Sequence, residues 1–540
     1  MHHIKISILL LAGAFTTASW VQAQRIIGYY PSWGIYARNY HVPDIPAEKI
    51  THINYAFAKI SGGKIALGDH YADVDKFYPG DSWNAGALRG SFNRLLVLKK
   101  KHPHVKTLIS IGGWTWSSPF SDAVLTSASR NTFASSCVDF IVKYGFDGVD
   151  LDWEYPVAGG LASNKTRPED KQNYTLFLQE LRRQLDAKTK TTNKSYLLTI
   201  AYSASPTCIA NIEIAKVHPI LDWINIMAYD LHGPWKGAGD PVTNFNAPLY
   251  PVASDPTPEP YKSTFNAWAA TELYLKLGVP PEKLNMGLAF YGRGYGGVQG
   301  NATGLYASYT GPAPVGTWER GVFDYDDLAK NYVGKNGFTS YRHPQARVPW
   351  VHHSTRKIMI GYDDPRSIRE KTWFIKSTGI GGAMFWEFSG DRQAVLLDEI
   401  KRELHEAPAL VATTRRISTS KPARIDLGLV AGKTRAKRQY VVAGSFAGNH
   451  PGIVLPGGTL PLNPDPFLTV SLTLANTPIF ANTFASLDAS GQASCALDFS
   501  SLKTLPPSLA GHRLSLAAWI LKGVGAAGEA TNTVDLLFVK

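Results

Sequence analysis

Short apolar runs alternate with longer amphipathic stretches from residue 25 to about residue 404. The short runs are rich in β-branched residues, whereas the stretches between them repeat apolar residues at helical spacing, as the leucines of Arg167–Ala187 do. Repeated βα units of this kind predict an α/β fold, a (β/α)8 TIM barrel whose active residues lie at the C-terminal ends of the strands. The predicted strands are Arg25–Tyr30, His52–Lys59, Val105–Gly112, Gly148–Asp152, Tyr196–Tyr202, Trp223–Met227, Leu284–Leu288 and Gly382–Phe385.

One connection in this pattern is too long for a simple loop. Between Tyr291 and Gly381 the chain carries apolar and aromatic residues of its own, and a structureless loop of that length would be unusual. The sequence therefore predicts a small α+β subdomain inserted into the barrel at about residues 292–381.

The pattern changes after Glu406. Thr, Arg, Lys, Ser and Pro dominate to about residue 439, and beyond it short strand-like runs, such as the alternating Leu468–Leu474, are separated by Gly and Pro. The change predicts a catalytic barrel over residues 24–406, a basic linker over 407–439 and a C-terminal all-β, sandwich-like accessory domain over 440–540.

The first residues predict a signal peptide over residues 1–23. His2, His3 and Lys5 precede an apolar run, Ile6–Phe15, and Val21-Gln22-Ala23 offers a small-x-small cleavage site. The run is too short and too interrupted by polar residues to span a bilayer, and no later stretch is long and apolar enough. We expect a secreted, extracellular protein without a membrane span.

Overall composition, with 44% hydrophobic and 18% charged residues, is that of a globular protein and argues against a disordered or fibrous one. The net charge of +12 could suggest a nucleic-acid partner, but much of it lies in one stretch, residues 415–438, that is typical of a solvated segment. We expect no nucleic-acid binding, with a weak contact to an anionic surface as the alternative. The basic residues of this stretch are Arg415, Arg416, Lys421, Arg424, Lys433, Arg435, Lys437 and Arg438.

Three cysteines, Cys137, Cys208 and Cys495, are too few and odd in number for a disulfide framework. We expect buried free thiols, although a Cys137–Cys208 pair is open. No Cys/His spacing resembles a metal site, and no motif indicates a cofactor.

The most informative segment is Phe146–Pro156, which contains Asp147, Asp150, Asp152 and Glu154. On a strand, alternate side chains share a face, so Asp150, Asp152 and Glu154 point the same way, which in a parallel barrel is the interior. Acids placed so closely in a low-dielectric site cannot all ionise, so some pKa must rise. Cores rarely accept such a row unless it has a chemical role.

This row resembles the signature of family 18 of the glycoside hydrolases, the chitinase family, whose fold is a (β/α)8 barrel. Its pattern is Asp147-x-x-Asp150-x-Asp152-x-Glu154, followed by Tyr155 and Pro156. Other segments are similar to motifs of the same family in the same order, and the resemblance covers roughly residues 25–404. These segments are Ser110–Trp114, Met227–Asp230, Phe290–Arg293, Phe323–Tyr325, Gly361–Pro365 and Gly382–Glu387.

The resemblance implies catalytic roles for four residues. Glu154 would protonate the glycosidic oxygen, and Asp152 would hydrogen-bond either Glu154 or the acetamido nitrogen of the substrate. Asp150 would share charge and a proton with Asp152, and Tyr229 would hydrogen-bond the acetamido carbonyl. The residues expected to bind substrate, as floor and walls of the cleft, are Trp386, Trp114, Asp230, Met227, Tyr291, Arg293, Tyr29, Phe57, Ser110, Tyr155 and Trp235.

Tryptophans near predicted strand ends give a second line of support. Sugar faces are apolar patches that stack on indole rings, so exposed tryptophans are a plausible track for a β-1,4 glycan, with core packing as the alternative for each one. These tryptophans are Trp33, Trp114, Trp116, Trp235 and Trp386.

The function that the resemblance implies is hydrolysis of β-1,4 linkages in chitin and N-acetylglucosamine oligomers. The family is a substrate-assisted exception among glycosidases: the N-acetyl oxygen attacks the anomeric carbon, an oxazolinium ion forms, and the configuration is retained. One alternative is a chitin-binding lectin on the same barrel, which the retained Glu154 disfavours. Another is an endo-β-N-acetylglucosaminidase that acts on N-glycans.

Overall fold

The computed structural model describes residues 24–449, 451–523 and 527–540; the predicted signal peptide lies outside these ranges. Eight parallel strands form a closed barrel, since β1 pairs with both β15 and β2. Each predicted strand agrees with an observed one to within two residues, and the predicted barrel is confirmed. The barrel strands are β1 (Arg25–Pro31), β2 (His52–Ser61), β4 (Lys106–Gly112), β5 (Gly148–Asp152), β6 (Leu197–Ser203), β7 (Trp223–Met227), β8 (Leu284–Ala289) and β15 (Gly382–Trp386), and β3 (Lys64–Ala66) forms a hairpin with β2.

Helices cover the outside of the barrel. The longest, α5, buries an apolar stripe that includes Phe177, Leu181 and Leu185 against the barrel, as its helical periodicity predicts. The helices are α1 (Gly90–Lys101), α2 (Gly113–Trp116), α3 (Phe120–Ala123), α4 (Ser127–Tyr144), α5 (Asp170–Thr192), α6 (Pro206–Ile209), α7 (Ile214–Val217), α8 (Tyr261–Thr264), α9 (Ala267–Lys276), α10 (Tyr325–Asp327), α11 (Pro365–Thr378), α12 (Val395–Lys401) and α13 (Pro466–Thr473).

An antiparallel sheet follows β8, as the long connection predicts. Its strands are β9 (Tyr291–Gly296), β10 (Gly311–Pro312), β11 (Val322–Asp324), β12 (Thr339–Arg342), β13 (Pro349–His353) and β14 (Ile358–Gly361).

The predicted end of this insertion, at about residue 381, is too late. Asp364 caps the N-terminus of α11 by accepting a hydrogen bond from the backbone N–H of Ser367, so the chain turns into a helix soon after β14. This helix contacts β8 and β15 and therefore belongs to the barrel, where it leads into the last barrel strand. A buried ion pair joins the two parts, because Lys371 Nζ lies 2.6 and 2.7 Å from the carboxylate oxygens of Asp363.

Beyond the barrel, two β-sheets pack face to face around an apolar core, as a sandwich would. One sheet has the order β16-β18-β24-β22 and the other β17-β27-β25-β19-β23, with β26 on β25 and a separate hairpin of β20 and β21. These strands are β16 (Ala409–Ala412), β17 (Arg416–Ser418), β18 (Arg424–Val430), β19 (Gln439–Ser445), β20 (Ile453–Leu455), β21 (Gly458–Leu460), β22 (Phe480–Ala481), β23 (Phe484–Ser486), β24 (Gln492–Asp498), β25 (Arg513–Leu521), β26 (Gly528–Ala530) and β27 (Val534–Val539).

The prediction of a basic linker over residues 407–439 is wrong. Three strands of the sandwich, β16, β17 and β18, lie in this stretch. Ile425, Leu427 and Leu429 alternate into the core of the sandwich. The basic residues of this stretch occupy the surface of the sandwich or pair with acids. Arg435 forms a two-pronged ion pair with Glu529, at 2.7 and 2.9 Å.

The all-β description of this region also needs one correction. The run Leu468–Leu474, whose alternation suggested a strand, lies mostly in α13. Asp465 caps this helix by accepting a hydrogen bond from the backbone N–H of Leu468, and Pro466 occupies its first turn, where a proline is well tolerated.

The barrel and the sandwich are in direct contact along α11. Arg415 Nε donates a hydrogen bond of 2.7 Å to the carbonyl of Ser377, and its guanidinium lies 5.9 Å from the ring centre of Phe374. The ammonium of Lys376 is buried and donates to the carbonyls of Ala407 and Pro408. The junction between the two units is thus held by side chains of α11, the helix that leads into the last barrel strand.

All three cysteines are buried and unpaired, so the open Cys137–Cys208 pair is not formed. None of the helices in the described ranges combines the length and the apolar character needed to cross a bilayer.

Candidate active site

Asp150 is a fully buried carboxylate in the middle of β5, facing the barrel interior. It accepts hydrogen bonds from four other strands. Tyr29 Oη and Ser110 Oγ donate to Oδ2 at 2.6 and 2.8 Å, and Thr199 Oγ1 and Asn225 Nδ2 donate to Oδ1 at 2.6 and 3.5 Å. Burial raises the pKa of Asp150 above its ordinary value, and these donors act in the opposite direction by favouring the carboxylate.

Asp152, the next inward-facing acid of β5, is also buried. Its Oδ1 makes no hydrogen bond to any part of the chain that the structure describes. Burial, the charge of Glu154 and the charge of Asp150 all raise the pKa of Asp152 well above its ordinary value. Of the two buried acids, Asp152 is therefore the one that more readily holds a proton, and Asp150, with its four donors, is the one that more readily carries charge.

Glu154 follows the end of β5 by two residues, so it lies at the C-terminal mouth of the barrel. Its backbone N–H donates to Ser117 Oγ at 2.8 Å and its carbonyl accepts from Asn164 Nδ2 at 2.9 Å, which fixes the position of the residue. Burial raises the pKa of Glu154 to about 7, and the charge of Asp230 acts in the same direction. Glu154 can thus carry a proton at neutral pH.

The first acid of the signature lies elsewhere. Asp147 precedes β5 and forms ion pairs with Lys99 at 2.8 Å and Lys194 at 2.9 Å. It also accepts from the backbone N–H of Thr107, at the N-terminal end of the barrel. Asp147 therefore stabilises the entry to the strand and takes no part in the acidic row.

Tyr229 and Asp230 follow β7 and lie at the same mouth. The hydroxyl of Tyr229 is 3.7 Å from the sulfur of Met384, and its ring is packed edge-on against Tyr291. Asp230 accepts two hydrogen bonds of 2.7 Å from the guanidinium of Arg293, which lies on β9 of the insertion. The bidentate geometry holds the insertion against the barrel beside the acidic row.

An aromatic cluster forms the opposite part of the mouth. Trp386, at the end of β15, is stacked on Phe57 with ring centres 5.8 Å apart, and Trp33 and Tyr29 lie within 6.2 and 5.6 Å of it. The register between β2 and β4 shifts between Ala56 and Ala58, and this bulge accompanies the inward orientation of the Phe57 ring.

The remaining predicted residues lie at the rim or in its lining. Trp114 and Trp235 are about half exposed, at 48% and 50%, and Arg293 lies 5.5 Å from the ring centre of Trp235. Met227 is partly buried in the apolar cluster that contains Tyr29 and Met384. Tyr155 is packed edge-on against Tyr202, 5.7 Å away.

Two predicted wall residues are placed differently from the expectation. Ser110 is fully buried and Tyr29 almost so, and both hydroxyls donate to Asp150, so these residues lie beneath the acidic row and do not form walls. The carboxylate oxygens of Asp150 accept hydrogen bonds from four donors. Asp150 forms no hydrogen bond with Asp152 in the described structure, in contrast to the expected shared proton.

Four residues that hydrogen-bond Asp150 or Glu154 were not predicted from the sequence. Thr199 and Asn225 are polar residues within apolar strands. Because alternate side chains of a strand share a face, their positions place both side chains in the barrel interior, and this alternation could have identified them. Ser117 and Asn164 lie outside the strands, and the part of Glu154 that they bind is its backbone, a contact for which the sequence carries no signal.

The arrangement is suited to proton donation beside a developing positive charge. A carboxyl group with a pKa near neutrality can deliver a proton as a general acid and take it back as a base. The buried carboxylate beneath it can stabilise a cation formed at the mouth, because charges interact strongly in a dry environment.

Comparisons with known proteins agree with this geometry. The family model described as "Glycosyl hydrolases family 18" matches residues 25–391. Chitinase A1 of Niallia circulans is 47% identical over 420 residues, an alignment that covers 72% of this chain and 59% of that protein. The chain thus spans less than two thirds of the length of this relative.

Two solved structures are similar over different extents. Chitinase ChiA74 from Bacillus thuringiensis has a TM-score of 0.67 at 33% identity and covers 96% of this chain and 85% of that one. The catalytic domain of psychrophilic chitinase B from Arthrobacter TAD20 has a TM-score of 0.65 at 34% identity, covering 71% of this chain and 95% of that one.

Proposed function

Because the chain belongs to family 18 of the glycosyl hydrolases, we propose that it is a chitinase that cleaves β-1,4 linkages of chitin and N-acetylglucosamine oligomers with retention of configuration. The observation that carries the proposal is the state of Glu154, a fixed carboxyl group at the barrel mouth whose pKa is raised to about 7. Relatives named as chitinases support the substrate class.

In the proposed first step, Glu154 donates its proton to the glycosidic oxygen as the bond to the anomeric carbon breaks. The carbonyl oxygen of the substrate's own acetamido group attacks that carbon and closes an oxazolinium ring, so the leaving sugar departs with the proton from Glu154. The nucleophile is intramolecular and gains from proximity. Water then opens the ring, with Glu154 accepting its proton, and the configuration at the anomeric carbon is retained.

Asp152 is the proposed partner of the acetamido group. Its Oδ1 has no hydrogen-bond partner among the described residues, so the side chain is available to bind the amide N–H. The proton that Asp152 holds can pass toward Glu154 as that residue gives up its own, leaving negative charge beside the oxazolinium ion. It returns to Asp152 in the second step, so that Glu154 is free to accept the proton of the attacking water. The hydroxyl of Tyr229, at the same mouth, is the proposed donor to the acetamido carbonyl.

The aromatic cluster is the proposed sugar-binding surface. The indole of Trp386, supported from below by Phe57, offers an apolar face of the kind on which sugar rings stack. The half-exposed Trp114 and Trp235 would extend this surface along the cleft. Arg293 and Asp230 would contribute polar contacts from the insertion.

The experiment is a time course of products from an N-acetylglucosamine hexamer, with the anomers resolved. We expect new reducing ends as the β-anomer, and no cleavage of the de-N-acetylated oligomer, since that substrate lacks the nucleophile. Initial release of the α-anomer, or equally fast cleavage of the de-N-acetylated oligomer, contradicts the mechanism. A lectin would bind the hexamer without releasing products, and an N-glycan-specific enzyme would prefer the chitobiose core of N-glycans.

Secretion forms part of the proposal. It rests on the leader-like composition of residues 1–23, which lie outside the described residues.

The pH dependence of kcat/KM tests the electrostatic part of the site. Catalysis requires protonated Glu154, so activity should fall as the pH rises through about 7, the pKa of this group. The charge of Asp230 raises this pKa, so the Asp230→Asn variant should lose activity at a lower pH than the wild type. Unpaired Arg293 would act in the same direction. Profiles measured with a soluble oligomer would show this, and a variant whose alkaline limb coincides with that of the wild type would contradict it.

A further inference from the structure

Three polar side chains connect the bottom of the barrel to Asp150. Arg25 Nε donates to Asn285 Oδ1 at 3.1 Å, Asn285 Nδ2 donates to Asn225 Oδ1 at 3.0 Å, and Asn225 Nδ2 donates to Asp150 Oδ1 at 3.5 Å. Asn225 and Asn285 lie opposite each other on β7 and β8. We call the series Arg25–Asn285–Asn225 the amide relay.

The relay needs the glycine that lies between its first two members. Gly382 of β15 pairs with Arg25 on one side and with Asn285 on the other. A Cβ atom at this position would lie 2.1 Å from the carbonyl oxygen of Arg25, and its φ of +151° favours glycine. With no side chain between them, Arg25 reaches across β15 to Asn285.

Chemistry at both ends fixes the direction of the relay. Arginine can only donate, so the atom of Asn285 that faces it must be the carbonyl oxygen, and the amide nitrogen of Asn285 then faces Asn225. An ionised carboxylate can only accept, so Asp150 requires the amide nitrogen of Asn225. Both requirements give the same orientation, in which every amide dipole directs its positive end toward Asp150.

We propose that Arg25, Asn285 and Asn225 act as positioning residues that polarise one another and keep Asp150 ionised beneath the reacting acids. The proposal rests on the proposed function, because it assigns these residues a role in that reaction. An aligned chain of hydrogen bonds strengthens its members, and in the dry interior of the barrel it carries the influence of a cation over several side chains. The charge on Asp150 in turn holds the proton on Asp152.

Other ionisable groups do not replace the relay. Those that interact with Asp150 are Asp152, Tyr29, Tyr174 and Tyr229, and burial raises the pKa of each of these tyrosines well above its ordinary value, so they remain neutral. Around Arg25 lie Asp222, Glu282 and His52. Burial lowers the pKa of His52 to about 3, whereas Arg25, with a pKa of about 10, stays a cation. Arg25 is therefore the source of positive charge at this end.

The test compares kcat/KM against pH for full-length variants acting on a soluble N-acetylglucosamine oligomer. Asn225→Leu removes the last donor, so Asp150 should take up a proton at a higher pH. We expect the kcat/KM of this variant at the acid end of the profile, relative to its own plateau, to fall about three- to tenfold further than that of the wild type. This is the order that one ordinary hydrogen bond supports, and the bond from Asn225 is long at 3.5 Å. The alkaline limb, which reports Glu154, should move far less.

Asn54→Leu is the matched control. Asn54 is fully buried in β2, and neither of its amide atoms makes a hydrogen bond within the described residues. Like Asn225→Leu, this variant replaces a buried asparagine with leucine, but it removes no hydrogen bond to Asp150. Its acid limb should coincide with that of the wild type.

Arg25 supplies a second, independent pair of variants. Arg25→Lys keeps a cationic donor and should retain the wild-type acid limb, whereas Arg25→Met should shift the limb in the same direction as Asn225→Leu, by less. In the double variant with Asn225→Leu, the Arg25→Met change should add nothing further, because the relay is already broken. If Asn225→Leu does not fold, the two Arg25 variants alone decide the matter.

The outcomes separate this inference from the proposed function. Acid limbs that coincide in the wild type, Arg25→Met and Asn225→Leu, in an active enzyme, would overturn the relay and leave the function standing. A uniform loss of activity at every pH, with a lowered melting temperature, would assign these residues a merely structural role and would also overturn it. A wild type that does not cleave the hexamer refutes the proposed function.

Discussion

Replacing Glu154 with glutamine should slow turnover of N-acetylglucosamine oligomers by about 10³-fold or more, within the upper range for loss of a general acid. The amide has the same shape but no proton that it can transfer. Ser117 and Asn164 contact only the backbone of residue 154, so the position of the side chain should be retained. Oligomer binding, measured by calorimetry, should stay close to that of the wild type.

The same variant should change how stability depends on pH. Glu154 has a pKa of about 7 in the folded chain, above its ordinary value of 4.5, so the folded state binds the proton more tightly than the unfolded state does. The stability that this proton contributes is complete below pH 4.5 and is lost as the pH rises to about 7. Glutamine does not titrate, so the melting temperature of the variant should rise relative to that of the wild type as the pH increases across this interval. Wild-type rates in a folded Glu154→Gln variant would show that another residue is the acid.

Asp152→Asn should have the second largest effect, a loss of about 10²- to 10³-fold in kcat, the range found when one group that stabilises developing charge is removed. Asparagine can still accept a hydrogen bond from the acetamido N–H, but it cannot become negative as the oxazolinium ion forms. KM should change little, because the interaction is strongest in the transition state. A fall in kcat of less than about threefold, too small for a lost general catalyst, would exclude Asp152 from charge stabilisation.

Asp147→Asn is the control from the same motif. It makes the same replacement three residues before Asp150, but it breaks the ion pairs with Lys99 and Lys194 at the far end of the barrel. We expect a lower melting temperature and unchanged kcat per folded molecule. The two variants together separate the part of the signature that stabilises the fold from the part that performs chemistry.

The barrel was predictable because both faces of its strands are buried. Strands such as Trp223–Met227 are largely apolar runs bounded by polar segments, and this pattern is visible in the sequence without knowledge of strand pairing. The acidic row was predictable for the complementary reason, since side-chain parity on β5 places Asp150 and Asp152 inside. The pairing of β1 with β15 and the bulge at Phe57 depend on strands distant in sequence and could not be derived.

The errors arose where local composition competes with tertiary packing. Residues 407–439 are dominated by basic and small polar residues, and the three alternating apolar positions of β18 were hidden among them. In Leu468–Leu474 the alternation was real, but Asp465 and Pro466 begin a helix that overrides it. Tyr29 and Ser110 were assigned to the right region at the wrong depth, because sequence gives the direction of a side chain and not its distance from solvent.

The attachment of Arg415 and Lys376 bears on how this protein could be divided. The family match ends at residue 391, yet the ammonium of Lys376 is satisfied by the carbonyls of residues 407 and 408, and Phe374 is covered by Arg415. A fragment trimmed to the homologous region would leave a lysine without acceptors and an aromatic ring open to water on α11, the helix that leads into β15 and so toward Trp386. Engineers who wish to exchange the C-terminal module should therefore transplant its contact residues together with it.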